Sequence, residues 1–96
     1  MILRLIKSYG ASSRFLDVGC GTGLIPRFLP SGSVGLDVNP WNVRKAKKYA
    51  PHTELVVEDA ENMPFKENIF STVICTETLE HLPHPNAALR GIHRVL

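Results

Sequence analysis

The 96-residue sequence has little of several features that each mark a particular class of protein. It carries only two cysteines, Cys20 and Cys75, and Arg4 and Lys7 interrupt its apolar opening, MILRLIKSYG. Two cysteines form no disulfide framework and suit a reducing compartment, and the interrupted opening matches neither a signal peptide nor a membrane span. A net charge of +2 is too small to indicate nucleic acid or an anionic membrane as a partner. We therefore expect a cytoplasmic protein with neither partner.

Predicted strands and helices alternate along the rest of the chain, which is long enough for one domain. The segments RFLDV, SVGLDV, TELVVED and FSTVICT predict four strands, the last of them rich in β-branched residues. Helices are predicted from Ile2 to Gly10, in LIPRFL, in NPWNVRKAKKYA after an Asn39 cap, and in HPNAALRGIHRVL. This alternation is typical of an α/β fold with a parallel sheet.

A glycine-rich loop follows the first predicted strand, in the stretch FLDVGCGTG. One glycine serves a tight turn, whereas three at alternating positions suggest that another body approaches the bare backbone. Ligands of open parallel sheets bind at the carboxyl ends of the strands. The other candidate positions at those ends are Asp37, Asp59 and the segment 76–81.

Asp37 ends the second predicted strand, eighteen residues after Gly19. This spacing matches the acid that binds ribose hydroxyls in dinucleotide-binding folds, and a carboxylate is a strong acceptor for two such donors. The nicotinamide fingerprint, however, has its third glycine where this chain has Leu24, and Pro26 limits the helix that follows. The sequence predicts a ribose-containing ligand and disfavours a dinucleotide.

Four motifs in order carry a resemblance to a known family: FLDVGCGTG, GLDVNP, VVEDAENMPF and TETLEHLPHPNAALRGIHRVL. From about residue 14 to its end, the chain resembles the amino-terminal half of class I S-adenosylmethionine-dependent methyltransferases. It is most similar to the small-molecule branch that includes ubiquinone and menaquinone methyltransferases. The resemblance implies a Rossmann-like parallel sheet with strand order 3-2-1-4 and flanking helices. It also implies that residues 1–96 form a cofactor-binding domain whose carboxyl-terminal part is missing, and that the methyl acceptor is a small molecule.

The resemblance further implies a set of cofactor-binding residues: Asp17, Gly19, Cys20, Gly21, Gly23, Asp37, Val38, Asp59, Ala60 and Thr76. The glycine loop would pass beneath the methionine part of S-adenosylmethionine, and the acid before it would help to hold the amino-acid end. The acid of the second strand would bind both ribose hydroxyls, and the residue after it would lie against adenine. The pair after the third strand would read the adenine edge, and the backbone at the end of the fourth would meet the methionine ammonium.

Several alternatives stay open at this point. A fragment of an NAD-dependent oxidoreductase is one, and a non-catalytic module for cofactor binding or protein interaction is another. No catalytic residue is predicted, and His81 is only a candidate base or substrate contact. The set of Cys20, Cys75, His81 and His84 has no compact ligand spacing, so no metal site is predicted.

The strand FSTVICT would lie at an edge of the sheet in the order 3-2-1-4. It carries no charge or proline to protect its unpaired N–H and C=O groups. We therefore expect the isolated chain to self-associate through residues 71–76, or to be marginally folded, and to transfer little or no methyl alone.

Overall fold

The computed structural model describes residues 14–76 and 79–96 in full, and residues 2–6 as backbone. The strands are β1 (Ile2–Ile6), β2 (Phe15–Val18), β3 (Val34–Asp37), β4 (Glu54–Val57) and β5 (Thr72–Thr76). The α-helices are α1 (Pro40–Tyr49) and α2 (Pro85–Val95), and single 3-10 turns span Pro26–Phe28 and Leu79–His81. Within the described part of the chain, no helix is long and apolar enough to cross a membrane.

The strands form one sheet in the order β1-β5-β2-β3-β4. The four predicted strands are β2 to β5; they pair in parallel, and their arrangement confirms the predicted order 3-2-1-4. Asp17 of β2 lies level with Gly35 of β3 and Ile74 of β5. The loops that follow β2, β3 and β4 therefore leave the same edge of the sheet.

The predicted amino-terminal helix is wrong for residues 2–6. This segment is β1, which pairs antiparallel with β5 from Ile2 opposite Thr76 to Ile6 opposite Thr72. The remainder of the predicted helix, through Gly10, lies outside the described residues. The open row of backbone groups on β5 offers hydrogen bonds that a helix cannot use, and such tertiary pairing overrides the local pattern.

This pairing also corrects the premise of the predicted self-association. The outer edge of residues 72–76 is covered by β1 rather than exposed. An unpaired row of N–H and C=O groups is what makes an edge strand recruit other chains. Self-association through residues 71–76 therefore loses its stated basis.

The face of the sheet that carries α2 holds the larger hydrophobic core. Alternate residues of β2, β3 and β5 point to this face, as the two-residue period of a strand requires. They pack with the apolar side of α2 in one cluster: Leu16, Val18, Val34, Leu36, Ala60, Met63, Phe70, Val73, Cys75, Leu79, Ala88, Ile92, Val95 and Leu96. Ala88, Ile92 and Leu96 are buried, and Leu89 is partly buried against the same cluster.

The opposite face carries α1 over a smaller cluster: Cys20, Val43, Ala46, Ala50 and Leu55. Helix α1 begins as predicted, because the Asn39 side chain accepts a hydrogen bond of 2.9 Å from the Trp41 N–H and Pro40 occupies the first turn. The segment LIPRFL forms only the 3-10 turn at Pro26–Phe28. The glycine loop is thus not followed by an α-helix.

Candidate cofactor-binding site

A cavity of about 430 Å³ opens at the carboxyl ends of β3 and β4. The glycine loop, the loops after both strands and the segment after the Leu79–His81 turn supply its walls. The lining residues are Gly19, Leu36, Asp37, Val38, Glu58, Asp59, Ala60, Glu61, His81, Leu82 and Pro83. Its place agrees with the rule that ligands of open parallel sheets bind beyond the carboxyl ends of the strands.

The Asp37 carboxylate is held in place by three donors. Its Oδ2 accepts a hydrogen bond of 2.9 Å from the Gly21 N–H. Its Oδ1 accepts one of 2.9 Å from the Asn39 N–H and a longer one of 3.4 Å from the Asn42 side-chain amide. A carboxylate has about four lone-pair sites, so this group keeps acceptor capacity toward the cavity while its orientation is fixed.

Three further carboxylates line the same cavity, and two of them are tied to nearby backbone. Asp59 Oδ1 accepts a hydrogen bond of 2.8 Å from the Glu61 N–H, and Glu61 Oε2 accepts one of 3.0 Å from the His84 N–H. The Glu58 N–H donates to the Asp37 backbone carbonyl at 3.1 Å, which joins the two acidic loops. Together with Asp37, these side chains give the cavity a negative potential that favours a cation over an anion.

Asp17 is a buried acid with an unsatisfied oxygen. The residue is 1 % exposed, and its Oδ1 has no hydrogen-bond partner among the described residues. Burial, together with the neighbouring charge of Asp37, raises the pKa of Asp17 to about 7. Unpaired buried carboxylates are rare and costly, so this group points to a missing cationic or hydrogen-donating partner.

The three loop glycines all have positive φ angles, but their surroundings differ. Gly21 has φ of +55°, and a Cβ added there would meet no atom of the described residues within 4 Å. Gly23 has φ of +97°, and a Cβ there would lie 3.0 Å from the Ala46 Cα of helix α1. The close approach at Gly23 is therefore to the protein's own helix, whereas the backbone at Gly21 faces open space.

Cys20 anchors this loop to the sheet. The N–H groups of Gly19 and Cys20 both donate to the Leu36 carbonyl at 2.8 Å. A Cβ at Gly35 would lie 3.0 Å from the Cys20 Cβ, which explains a glycine in the middle of β3. Burial, with smaller contributions from Asp17 and Asp37, raises the pKa of Cys20 to about 12. Its thiol therefore stays neutral at physiological pH.

Half of the residues expected at the site line the cavity: Gly19, Asp37, Val38, Asp59 and Ala60. The others lie outside its lining: Asp17, Cys20, Gly21, Gly23 and Thr76. Of this second group, the Gly21 N–H donates a hydrogen bond to the Asp37 carboxylate, and the charge of Asp37 helps to raise the pKa of Asp17. Thr76 is the half-buried last residue of β5.

Two acids of the cavity wall, Glu58 and Glu61, are not among the predicted site residues. Their only signal is adjacency to Asp59 in the segment VEDAEN, where alternating acids are typical of a solvated loop. His81 lines the cavity beside Leu82 and Pro83. It is exposed there and is accessible to a bound molecule.

Comparison with known proteins identifies the domain. A methyltransferase domain family matches residues 16–96. The chain is 36 % identical over 93 residues to a phthiotriol/phenolphthiotriol dimycocerosates methyltransferase of Mycobacterium leprae, covering 90 % of this chain and 34 % of that protein. It is 30 % identical over 97 residues to a ubiquinone biosynthesis O-methyltransferase of Pseudomonas syringae pv. tomato, covering 90 % and 40 %.

Solved structures with the same fold agree. A TehB-like SAM-dependent methyltransferase from Corynebacterium glutamicum has a TM-score of 0.76 and 28 % identity, covering 88 % of this chain and 49 % of that one. The cyclase SpnF has a TM-score of 0.73 and 28 % identity, covering 88 % and 35 %.

The chain belongs to the methyltransferase domain family. The predicted resemblance is confirmed, and S-adenosylmethionine is the cofactor that the family and its structural neighbours imply. The chain spans about a third of the length of the first of these relatives and two fifths of the second.

Proposed function

We propose that this chain is the cofactor-binding part of an enzyme that transfers a methyl group from S-adenosylmethionine to a small-molecule acceptor. The observation that carries the proposal is the cavity wall, where a hydrogen-bonded Asp37 and three further carboxylates surround a space of about 430 Å³. Such a wall suits a ligand that has ribose hydroxyls at one end and positive charge at the other.

The proposed roles follow the positions of the residues. Asp37 accepts hydrogen bonds from both ribose hydroxyls, because its carboxylate is already oriented by Gly21 and Asn39. Val38 is 71 % exposed and offers an apolar surface for adenine, and Asp59 with the Ala60 backbone reads the adenine edge. Gly19, Cys20, Gly21 and Gly23 form the loop under the methionine part, with Gly23 in a structural role against Ala46.

The amino-acid end of the cofactor is assigned to Asp17 and Thr76. The unsatisfied Oδ1 of Asp17 fits an ammonium donor, and the end of β5 adjoins β2 on the same sheet edge. When bound, S-adenosylmethionine supplies an activated methyl group on a sulfonium. The chain's own contribution is to bind and orient it, which is a proximity effect. No residue of the described chain is assigned as a base.

A dinucleotide fits this site poorly. A pyrophosphate needs backbone N–H groups at a helix N-terminus, whereas the glycine loop here leads into the single 3-10 turn at Pro26–Phe28. Four carboxylates on the cavity wall would also repel its two negative charges. Both features weigh against the NAD-dependent alternative.

Calorimetric titration with S-adenosylmethionine, S-adenosylhomocysteine and NAD tests the proposal. We expect the first two to bind and NAD not to bind. Asp37→Ala should weaken binding of both by about 1.5–3 kcal/mol, the range for hydrogen bonds to a charged group. Glu54→Ala removes an exposed carboxylate from the opposite end of a strand and should leave affinity unchanged. Binding of NAD alone, or equal affinities for the two variants, would contradict the assignment.

A second candidate is a reaction other than methyl transfer, favoured by the likeness to a chain named as a cyclase. A non-catalytic cofactor-binding module is the third. Incubation of the protein with methyl-labelled S-adenosylmethionine and a panel of phenolic, amine and lipid acceptors separates them. Label in an acceptor supports the first proposal, and tight binding without label favours the others.

The extent and location of the enzyme belong to the same proposal. Residues 1–96 would supply the cofactor half, and the acceptor would be covered by structure outside this segment, as the greater length of both relatives suggests. A cytoplasmic location is supported by two buried cysteines that are free thiols.

A further inference from the structure

Asp17 combines three properties that ordinary structural acids do not share. It lies in the middle of the sheet, it is 1 % exposed, and one of its oxygens has no hydrogen-bond partner among the described residues. Structural acids at such positions are paired, because leaving a buried carboxylate unsatisfied is costly. The site therefore keeps an acid in an environment that disfavours its charge.

The surroundings of Asp17 offer no positive charge within the described residues. On β3 its level neighbour is Gly35, with Asp37 two residues further, and on β5 its level neighbour is Ile74. Cys20 of the glycine loop contributes a neutral thiol. The inward residues of α1 and of the first 3-10 turn are apolar: Val43, Ala46 and Pro26. Among the described residues, the charge that acts on Asp17 is the like charge of Asp37.

On the basis of the proposed function, we propose that Asp17 holds a proton in the free protein and gives it up to solvent when the cofactor's ammonium binds beside it. Asp17 lies behind the cavity wall, two residues before Gly19, which lines it, and the ligand ammonium supplies the positive charge and the donor that the described residues do not provide. The carboxyl O–H breaks, its proton passes to buffer, and the resulting carboxylate forms an ion pair with the ammonium. The methionine end of the cofactor is thereby recognised through an exchange of a proton for a cation.

The direction of the pH dependence follows from linkage. The pKa of Asp17 lies at about 7 in the free protein, and an adjacent ammonium lowers it. Below pH 7 the free protein holds the proton, so binding releases it and affinity rises as the pH rises toward 7. Above about pH 8 the ligand's own α-amino group loses charge, so the informative range is the acidic one.

Proton release measures this exchange without reference to activity. Calorimetry at about pH 6 in two buffers of different ionisation enthalpy gives the number of protons released on binding. For S-adenosylmethionine and S-adenosylhomocysteine, which share the ammonium, we expect close to one proton, falling to about half a proton at pH 7. Methylthioadenosine carries the ribose and adenine but no amino-acid end, and its binding should release none.

Asp17→Asn supplies the second control. The amide has nearly the same shape and cannot titrate, so this variant should bind S-adenosylmethionine without proton release and with affinity independent of pH between 6 and 7. Binding to the unmutated protein without proton release overturns the exchange and leaves the proposed function standing. Release that persists in Asp17→Asn also overturns it. Failure of all three nucleosides to bind refutes the proposed function together with the exchange.

Discussion

The two faces of the sheet are built for different purposes. Among the residues that the structure describes in full, the face under α2 carries a cluster of fourteen buried apolar residues, while the face under α1 carries five. The strand residues that point toward α1 include Asp17, Gly35 and Asp37, whereas Leu16, Val18 and Leu36 point toward α2. One face supplies most of the apolar burial, and the other gives up burial to hold a polar site.

This difference follows from the two-residue period of the strands. Because successive side chains of β2 and β3 alternate between faces, a single short strand presents both a core residue and a site residue. A rigid apolar layer therefore lies directly behind Asp17 and Asp37. Binding groups held by packed supports keep their geometry before the ligand arrives, which lowers the cost of binding.

The largest expected effect tests whether the α2 face supplies most of the stability of the fold. Ile92 is fully buried in the α2 cluster, and Ile92→Ala should lower the free energy of unfolding by about 4 kcal/mol through lost burial and a residual cavity. The loss is a large part of the stability of a small domain, so an unchanged unfolding midpoint would contradict this assignment. Urea denaturation followed by circular dichroism measures it.

A matched pair of valines compares the faces directly. Val95 lies in the α2 cluster and Val43 in the α1 cluster, and both are helical and buried. We expect Val95→Ala to lower the free energy of unfolding by about 2.5 kcal/mol and Val43→Ala by about 1.5 kcal/mol. The loss is smaller for Val43 because the residues of the smaller cluster beside the glycine loop can relax into the cavity. Equal losses would mean that both faces stabilise the fold alike.

A separate effect, on ligand binding rather than on folding, concerns the glycine loop. Gly21→Val should weaken S-adenosylmethionine binding at least a hundredfold, or about 3 kcal/mol. A β-branched side chain would occupy the open space beside Gly21 and strain a backbone with φ of +55°. Calorimetric titration at matched protein concentration measures the affinity.

Gly32 is the control for backbone strain. It has φ of +88° and no atom of the described residues within 4 Å of an added Cβ, but it precedes β3, at the end of the strand opposite Asp37. Gly32→Val should destabilise the fold to a similar degree and leave affinity unchanged. Similar losses of affinity in both variants would show that strain alone weakens binding and that the loop is only a turn.

The sequence predicted the repeating architecture well because that architecture is encoded locally. Apolar strand segments mark β2 to β5, and the Asn39–Pro40 pair marks the start of α1. The strand order came from the motifs of the family rather than from these patterns. Periodicity specifies which residues face a core but not which strands become neighbours.

What the sequence could not predict depends on partners that are distant along the chain. Ile2–Ile6 has apolar residues that suit a short helix, and only the pairing with residue 72 and beyond makes it a strand. The three loop glycines look equivalent in sequence, and only the position of Ala46 separates the packed Gly23 from the open Gly21. Likewise Glu58 and Glu61 become site residues only because the folded loops bring them beside Asp37.

The smallest expected effect tests what the binding face gives up in stability. The pKa of Asp17 is about 7 in the folded protein against an ordinary value of 3.8. Between these values the folded state binds more protons than the unfolded state, so ionisation of Asp17 lowers stability as the pH rises from about 4 to 7.

An asparagine at position 17 stays neutral over this whole pH range. Asp17→Asn should therefore match the unmutated protein near pH 4 and exceed its stability by about 2 kcal/mol at pH 8, since each pKa unit corresponds to about 1.4 kcal/mol and relaxation reduces the full value. Thermal denaturation across this pH range measures the difference, with Asp59→Asn as an exposed control that should show no such gain. A variant that is less stable at every pH would mean that Asp17 is held by a structural partner. The carboxylate of Asp17 would then not lower the folding stability of the protein in the absence of ligand.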